Sequence, residues 1–322
     1  MTEQSGPREL VRYAARAEEA GFDFEVMSDH YSPWLASQGH SPYAWSVLGA
    51  VAQVTHRVGL MTYVTCPTRR YHPAVVAQKA ATVGVLSEGR FSLGLGSGEN
   101  LNEHVVGAWP TISVRHDLLE EAIVVISALL AGETVNFDGE YFQVHAAQLW
   151  DLPEARVPIG VAVSGPRGVE RFARVADDMV AVQPDAGLVQ AWDEARGEPN
   201  GRKVGQLPVC WAPDESEAVR IAHDQFRWSA AAGWHVNAEL PGPLAFEEAS
   251  ARVRPSDVAD VIPCGPDLEP VVAAVQQYAD AGFTDLALLQ VGDQYQEQFL
   301  DVAGKELLTL LHAELRPADG PG

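Results

Sequence analysis

Apolar positions along the chain switch repeatedly between two periods. A helical spacing of three to four residues gives way to short unbroken apolar runs, and the exchange recurs from end to end. "YAARAEEAGFDFEVMSDH" (13–30) is a helix, a glycine stop and a strand; "YADAGFTDLALLQVGD" (278–293) repeats that order near the other end. Glycine after the last helical residue is the expected helix stop. Between these passages, "RVGLMTYVTC" (57–66) reads as a strand and "HPAVVAQKAATVGVLSEG" (72–89) as a helix, with Pro73 near its first turn. The same alternation gives a strand over 90–98, an amphipathic helix over 115–133 and a strand over 157–165 with a helix after it. Strands over 178–184 and 205–213 follow. Strand–helix units joined by short links predict a parallel sheet, here a single (β/α)8 TIM barrel spanning 1–322. Only seven of its strands are visible. The missing one is the first, so the chain either has a truncated first strand or keeps a stub of it in residues 1–5, and a gap in the barrel wall is expected.

Two segments break the rhythm. Residues 134–155 alternate around Asp138-Gly139 and predict a hairpin insertion. Residues 227–267 are long, aromatic and punctuated by Pro and Gly, and read as an insertion covering the barrel mouth. Composition narrows the picture further. A net charge of −22 over 322 residues argues against nucleic acid or an anionic membrane as partner, leaving a small-molecule substrate. No stretch approaches the ~18 apolar residues of a membrane span, and no signal peptide is visible, so the expected location is cytoplasmic. Cys66, Cys210 and Cys264 are odd in number and far apart, which predicts small thiols rather than a disulfide framework or zinc site. The ten histidines form no ligand pair, and no metal is expected.

In a barrel of this kind the chemistry lies past the C-terminal ends of the strands. Asp29, His30 and Trp34 follow one strand end; Ser97, Gly98, Glu99 and Asn102 follow another; Ser164 and Gly165 follow a third. His30 is either a general base, with an ordinary pKa near ~6.5, or a structural imidazole of the rim. Trp34 either meets substrate or packs under the insertion, and Asp29 either meets a cofactor or caps a helix. "GLGSGE" fails the dinucleotide-binding pattern, because Glu99 stands where a third glycine belongs and would repel a pyrophosphate. Glu99 is then either a helix-capping surface acid or an acid held in a pocket. "VSGPRG" (163–168) offers a small-residue turn opening a helix, a possible phosphate seat.

"SDHYSPW", "GHSPYAWSVLGA", "RYHPAVVAQKAATV", "GRFSLGLGSGENLNEHVVG" and "GETVNFDGEYFQV" together resemble the bacterial luciferase-like superfamily. They are most similar to its branch around F420-dependent glucose-6-phosphate dehydrogenase. The resemblance implies a (β/α)8 barrel, a homodimer and the deazaflavin coenzyme F420, with FMN-dependent monooxygenases as the neighbouring alternative. It implies that His30 removes a substrate hydroxyl proton, that Glu99 protonates the deazaflavin ring, and that Trp34 steadies the substrate. Asp29, Ser97, Gly98 and Asn102 would contact the cofactor, a cis peptide at Tyr63-Val64 would lie behind its ring, and Ser164 and Gly165 would hold its phosphate. The lysine and arginine positions that clamp a sugar phosphate in that branch align here with Ala186, Glu248 and Val261, so an unphosphorylated alcohol or carbonyl substrate is expected.

Overall fold

The computed structural model describes residues 1–197 and 201–315. Nine strands are present among them: β1 (Phe24–Met27), β2 (Gly59–Thr62), β3 (Phe91–Leu95), β4 (Val135–Asp138), β5 (Gln143–Ala147), β6 (Ile159–Ala162), β7 (Asp178–Val180), β8 (Lys203–Val209) and β9 (Asp285–Gln290). Seven of them form one sheet in the order β1-β2-β3-β6-β7-β8-β9. Every neighbouring pair is parallel, the longest ladder running from Val204↔Asp285 to Val209↔Gln290. Helices connect the strands and pack on their outer face, so the central strands are covered on both sides. That is why β3 is buried at all five positions and reads as an apolar run rather than an alternation. Met61, Val180 and Val204 fill the barrel interior with Phe24, Val26, Tyr63, Val64 and Ala162 around them.

Strands β1 and β9 share no ladder, so the wall is open between them, as the seven-strand pattern predicts. Residues 1–5 are not the strand stub that the sequence suggested as one possibility. Thr2–Gln4 forms a single 3-10 turn across the rim above the gap. Ser28 N–H donates to Thr2 Oγ1 at 3.3 Å, and the Ser5 hydroxyl donates to Asp293 just past β9. Below this bridge a cavity of ≈ 410 Å³ follows the open seam, lined by residues that include Phe24, Leu286, Leu288 and Phe299.

β4 and β5 form an antiparallel hairpin across Asp138-Gly139, where Gly139 N–H donates to Phe142 O at 2.9 Å. The Glu121 carboxylate accepts from the N–H groups of Glu140, Tyr141 and Phe142, fixing the hairpin to the helix Ile112–Leu130. Within 227–267 lie three short helices, Trp234–Asn237, Gly242–Ala249 and Pro255–Ala259. They contribute Phe246 and Val258, and the turn after the last of them Ile262, to a buried apolar cluster at the mouth that also holds Trp34, Leu101 and Trp228. No helix among the described residues is long and apolar enough to cross a membrane.

Candidate active site

The ends of β1, β2 and β3 meet at the mouth of the barrel. There two buried polar groups form side by side. The first is built on Asp29, the residue after Ser28 at the end of β1. Asp29 is 1% exposed, and its carboxylate accepts from Trp45 Nε1 at 2.9 Å, Thr65 Oγ1 at 2.8 Å and Tyr71 OH at 3.0 Å. Arg70 donates through Nε to Glu103 Oε1 at 2.7 Å and through its guanidinium to the Asp29 carbonyl. Glu103 also accepts from Arg70 N–H at 3.0 Å. Burial, opposed by Glu103 and Asp29, leaves the Arg70 guanidinium held firmly charged.

The second group is built on His30. Its Nδ1 is 2.8 Å from Glu3 Oε1, and the two side chains are 8% and 1% exposed. The contact is charge-assisted at that distance, and the other Glu3 oxygen, Oε2, has no hydrogen-bond partner. Burial pulls the His30 pKa down, but the Glu3 charge overrides it and the net shift is upward, with the charge of Glu99 adding to the same field. Burial likewise pushes the Glu3 carboxyl up, and the His30 charge overrides it to leave Glu3 below the ordinary carboxylate range. Nothing in the sequence pattern marked Glu3. It lies 27 positions before His30, in a turn that the strand periodicity does not describe.

Glu99 ends the loop after β3, as the N-cap residue of the short helix Asn100–Glu103, and is partly buried. Its side chain makes no capping hydrogen bond, which removes the helix-cap reading. Asn102 joins the two loops: its Oδ1 accepts from the N–H groups of Tyr31 at 2.8 Å and Ser32 at 3.2 Å, and its Nδ2 donates to Glu99 Oε2 at 3.4 Å. The glycines before Glu99 allow close approach. A Cβ on Gly96 would lie 2.5 Å from Val64 Cγ2, and Gly98 has φ +88° with Cys66 Sγ against the place of its missing Cβ. Ser97 and Gly98 are therefore backbone-bare and partly open. The peptide bond Tyr63-Val64 is cis, at the position the sequence indicated. Tyr63 turns its hydroxyl away from the mouth and donates to Ala181 O at 3.1 Å.

Trp34 is 7% exposed and packs under the mouth cover. It stacks on Trp228, ring centroids 4.0 Å apart and planes 9° apart, with Phe246 edge-on at 5.1 Å. It also stands edge-on to His30 at 5.1 Å, so one indole joins the aromatic cover to the imidazole. Buried Trp228 Nε1 and both amide atoms of Gln4 have no partner either. A buried polar atom left unpaired costs about 1–3 kcal/mol, and several such atoms gather at this one mouth. Ser164 is exposed, and Gly165, which precedes the seven-residue helix Pro166–Phe172, has open space where a side chain would stand. Among the described residues no cluster of three or more His, Cys, Asp or Glu is gathered as a metal would require.

Comparison with known proteins agrees with this geometry. Residues 1–285 match the luciferase-like monooxygenase family, and the chain belongs to it. It is 34% identical over 322 residues to an F420-dependent glucose-6-phosphate dehydrogenase of Microbacterium testaceum, covering 96% of this chain and 95% of that one. It is 36% identical to a protein of the same description from Kineococcus radiotolerans, covering 96% and 94%. Among solved structures it resembles an F420-dependent secondary alcohol dehydrogenase in complex with an F420-acetone adduct. The TM-score is 0.85 at 26% identity, with 94% of each chain covered. A coenzyme F420 dependent tetrahydromethanopterin reductase from Methanopyrus kandleri shares the fold, with TM-score 0.77 at 19% identity and 97% of each chain covered.

Proposed function

We propose that this member of the luciferase-like family is an F420-dependent oxidoreductase whose substrate is an alcohol, or the corresponding carbonyl compound, without a phosphate group. The F420 dependence follows its relatives. The observation that carries the chemistry is the buried Glu3–His30 pair, set beside Glu99 beneath an aromatic cover. Bound F420 would supply the two-electron hydride exchange at the carbinol carbon. The chain supplies proton handling and exclusion of water. Glu3 faces Nδ1, which leaves Nε2 of His30 to take the hydroxyl proton as the C–H bond gives up its hydride, and to return it in the reverse direction. The Glu3 charge stabilises the imidazolium that results. Glu99 would exchange the second proton from the opposite loop, where Asn102 donates to its carboxyl group.

The remaining positions divide by what they touch. Ser97, Gly98 and the cis Tyr63-Val64 segment present bare backbone against which a flat ring can rest. Ser164 and Gly165 offer exposed small-residue backbone to the cofactor's phosphate. Asp29 acts through the protein, since its carboxylate serves Trp45, Thr65 and Tyr71. Trp34 presents its edge to substrate while its face belongs to the cover. The absence of a phosphate on the substrate is argued from charge. Of the three positions aligned with the phosphate clamp, Ala186 and Val261 are uncharged and Glu248 is an exposed acid. A dianion there meets repulsion and no counter-charge. Exposed Val54, Val75, Val85, Leu86 and Val124 lie on neighbouring helices and support a homodimer through that face.

The test is a pair of titrations, with F420 and with FMN, followed by a substrate screen that reads F420 absorbance in both directions. Binding of F420, and turnover of simple or cyclic alcohols ahead of glucose 6-phosphate, is expected. Selective FMN binding overturns the cofactor; preference for the sugar phosphate overturns the substrate class.

A further inference from the structure

Two of the three cysteines are neighbours across a strand pairing that no part of the site uses. Cys210 follows β8 directly, and Cys264 lies near the end of the mouth-covering insertion. They form an isolated parallel bridge. Cys210 N–H donates to Pro263 O at 2.8 Å, and Gly265 N–H donates to Cys210 O at 3.0 Å, so Cys264 is the residue directly opposite. Paired strands lie about 4.8 Å apart, inside the ~4.4–6.8 Å range of Cα separations that a disulfide spans. Residues directly opposite each other in a parallel pairing project from the same face, so the two side chains lie on one side of it.

The two sulfurs differ in environment. Cys210 is fully buried, with Sγ 3.2 Å from both Ala218 O and Val291 O, and it is pushed far up by the neighbouring Cys264 and by burial. Cys264 is partly exposed, and the neighbouring Cys210 thiol lowers its pKa against burial and the nearby charge of Glu215. Cys66 is the internal contrast. It is buried, close to Thr68 Oγ1 at 2.9 Å, and burial pushes its thiol well up. A thiolate needs access and a stabilising donor to react, and only Cys264 has both.

We propose that Cys264 and Cys210 form a peroxide-sensitive dithiol that closes to a disulfide and staples the mouth cover to the barrel wall. The Cys264 thiolate attacks one oxygen of hydrogen peroxide; the O–O bond breaks, and sulfenic acid and hydroxide leave as products, the latter taking up a proton as water. The Cys210 sulfur then attacks the Cys264 sulfur, its thiol proton leaves with the displaced hydroxide as a second water, and the S–S bond forms. Each sulfur contributes one of the two electrons that reduce the peroxide. The covalent loop so closed contains residues 211–263, including Trp228 and Phe246 of the cover. Crosslinking a loop of that length removes freedom mainly from the unfolded chain.

The test is oxidation of the intact protein with a small excess of hydrogen peroxide, then alkylation under denaturing conditions and peptide mass mapping. The expected result is loss of two of the three thiols, a mass lower by about 2 Da, and one linked peptide pair holding Cys210 and Cys264. Cys66 stays alkylatable, Tm rises by several degrees, and dithiothreitol reverses both changes. Cys264→Ser keeps basal activity and abolishes both the thiol loss and the Tm rise. Cys210→Ser leaves Cys264 trapped as a sulfenic acid that dimedone labels. Three intact thiols after oxidation, accumulation of Cys264 sulfinic acid in the unsubstituted protein, or a disulfide between two molecules would each overturn the proposal.

Discussion

The two polar groups at the mouth are adjacent in the chain and opposite in construction. Asp29 belongs to one and His30 to the other. Around Asp29 each charge is answered: three hydrogen bonds reach its carboxylate, and Arg70 is shared between Glu103 and the Asp29 backbone. Around His30 the charges meet, but capacity is left open at Glu3 Oε2 and at both amide atoms of Gln4. Both groups are buried, so burial does not separate framework from chemistry. What separates them is whether the protein itself has used up the donors and acceptors it has buried. A saturated network resists change; an open one has free energy to gain from a ligand.

The sharpest way to break this contrast is to remove the imidazole. His30→Ala is expected to lower kcat for alcohol oxidation by about 10²–10⁴-fold while Tm moves little, read by F420 absorbance and calorimetry. If Tm collapses and the remaining folded protein turns over normally, His30 belongs with the framework. Arg70→Met probes the other group. It leaves Glu103 and Asp29 uncompensated in a buried place, and a stability loss of about 3–5 kcal/mol in denaturant melts is expected. An effect confined to turnover would move Arg70 into the reacting group. The smallest effect is the most specific. Because Glu3 raises the His30 pKa, the imidazole becomes neutral, and able to accept a proton, only above that raised value. Oxidation in wild type therefore gains rate as pH rises through it. In Glu3→Gln the burial term remains without the opposing charge, so the limb of kcat/KM against pH shifts to lower pH, with a loss of about tenfold at the plateau. A limb that stays in place would reduce Glu3 to packing.

The sequence carries the barrel well because its evidence is local. Strand runs, helix stops and the Asp138-Gly139 turn each follow from residues a few positions apart. It carries the placement of His30, Trp34, Glu99 and Asn102 at one mouth because parallel strands deliver their C-terminal ends to the same side. It does not carry the partners of those residues. Glu3 reaches His30 through a 3-10 turn that bridges the open seam, Arg70 reaches Asp29 across a loop, and Cys264 meets Cys210 across the whole insertion. Periodicity is silent on such contacts, since each depends on how distant loops close in space. Trp34 illustrates the boundary: the sequence left substrate contact and packing both open, and the indole does its packing through its face while its edge stays toward His30.

The seam between β1 and β9 has a temporal consequence. Glu3 is held over it by a turn whose anchors lie far apart in the chain: Ser5 on Asp293, and the Glu3 carbonyl accepting from His40 N–H at 3.1 Å. During synthesis Glu3 and His30 leave the ribosome early, but the rim that carries Asp293 is made late. The Ser5–Asp293 anchor is therefore complete only when the final strand is in place. The other anchors of the turn, His40 and Ser28, come from the β1 side and are made early. The turn that carries Glu3 thus ties the two ends of the open wall together, one made first and the other made last.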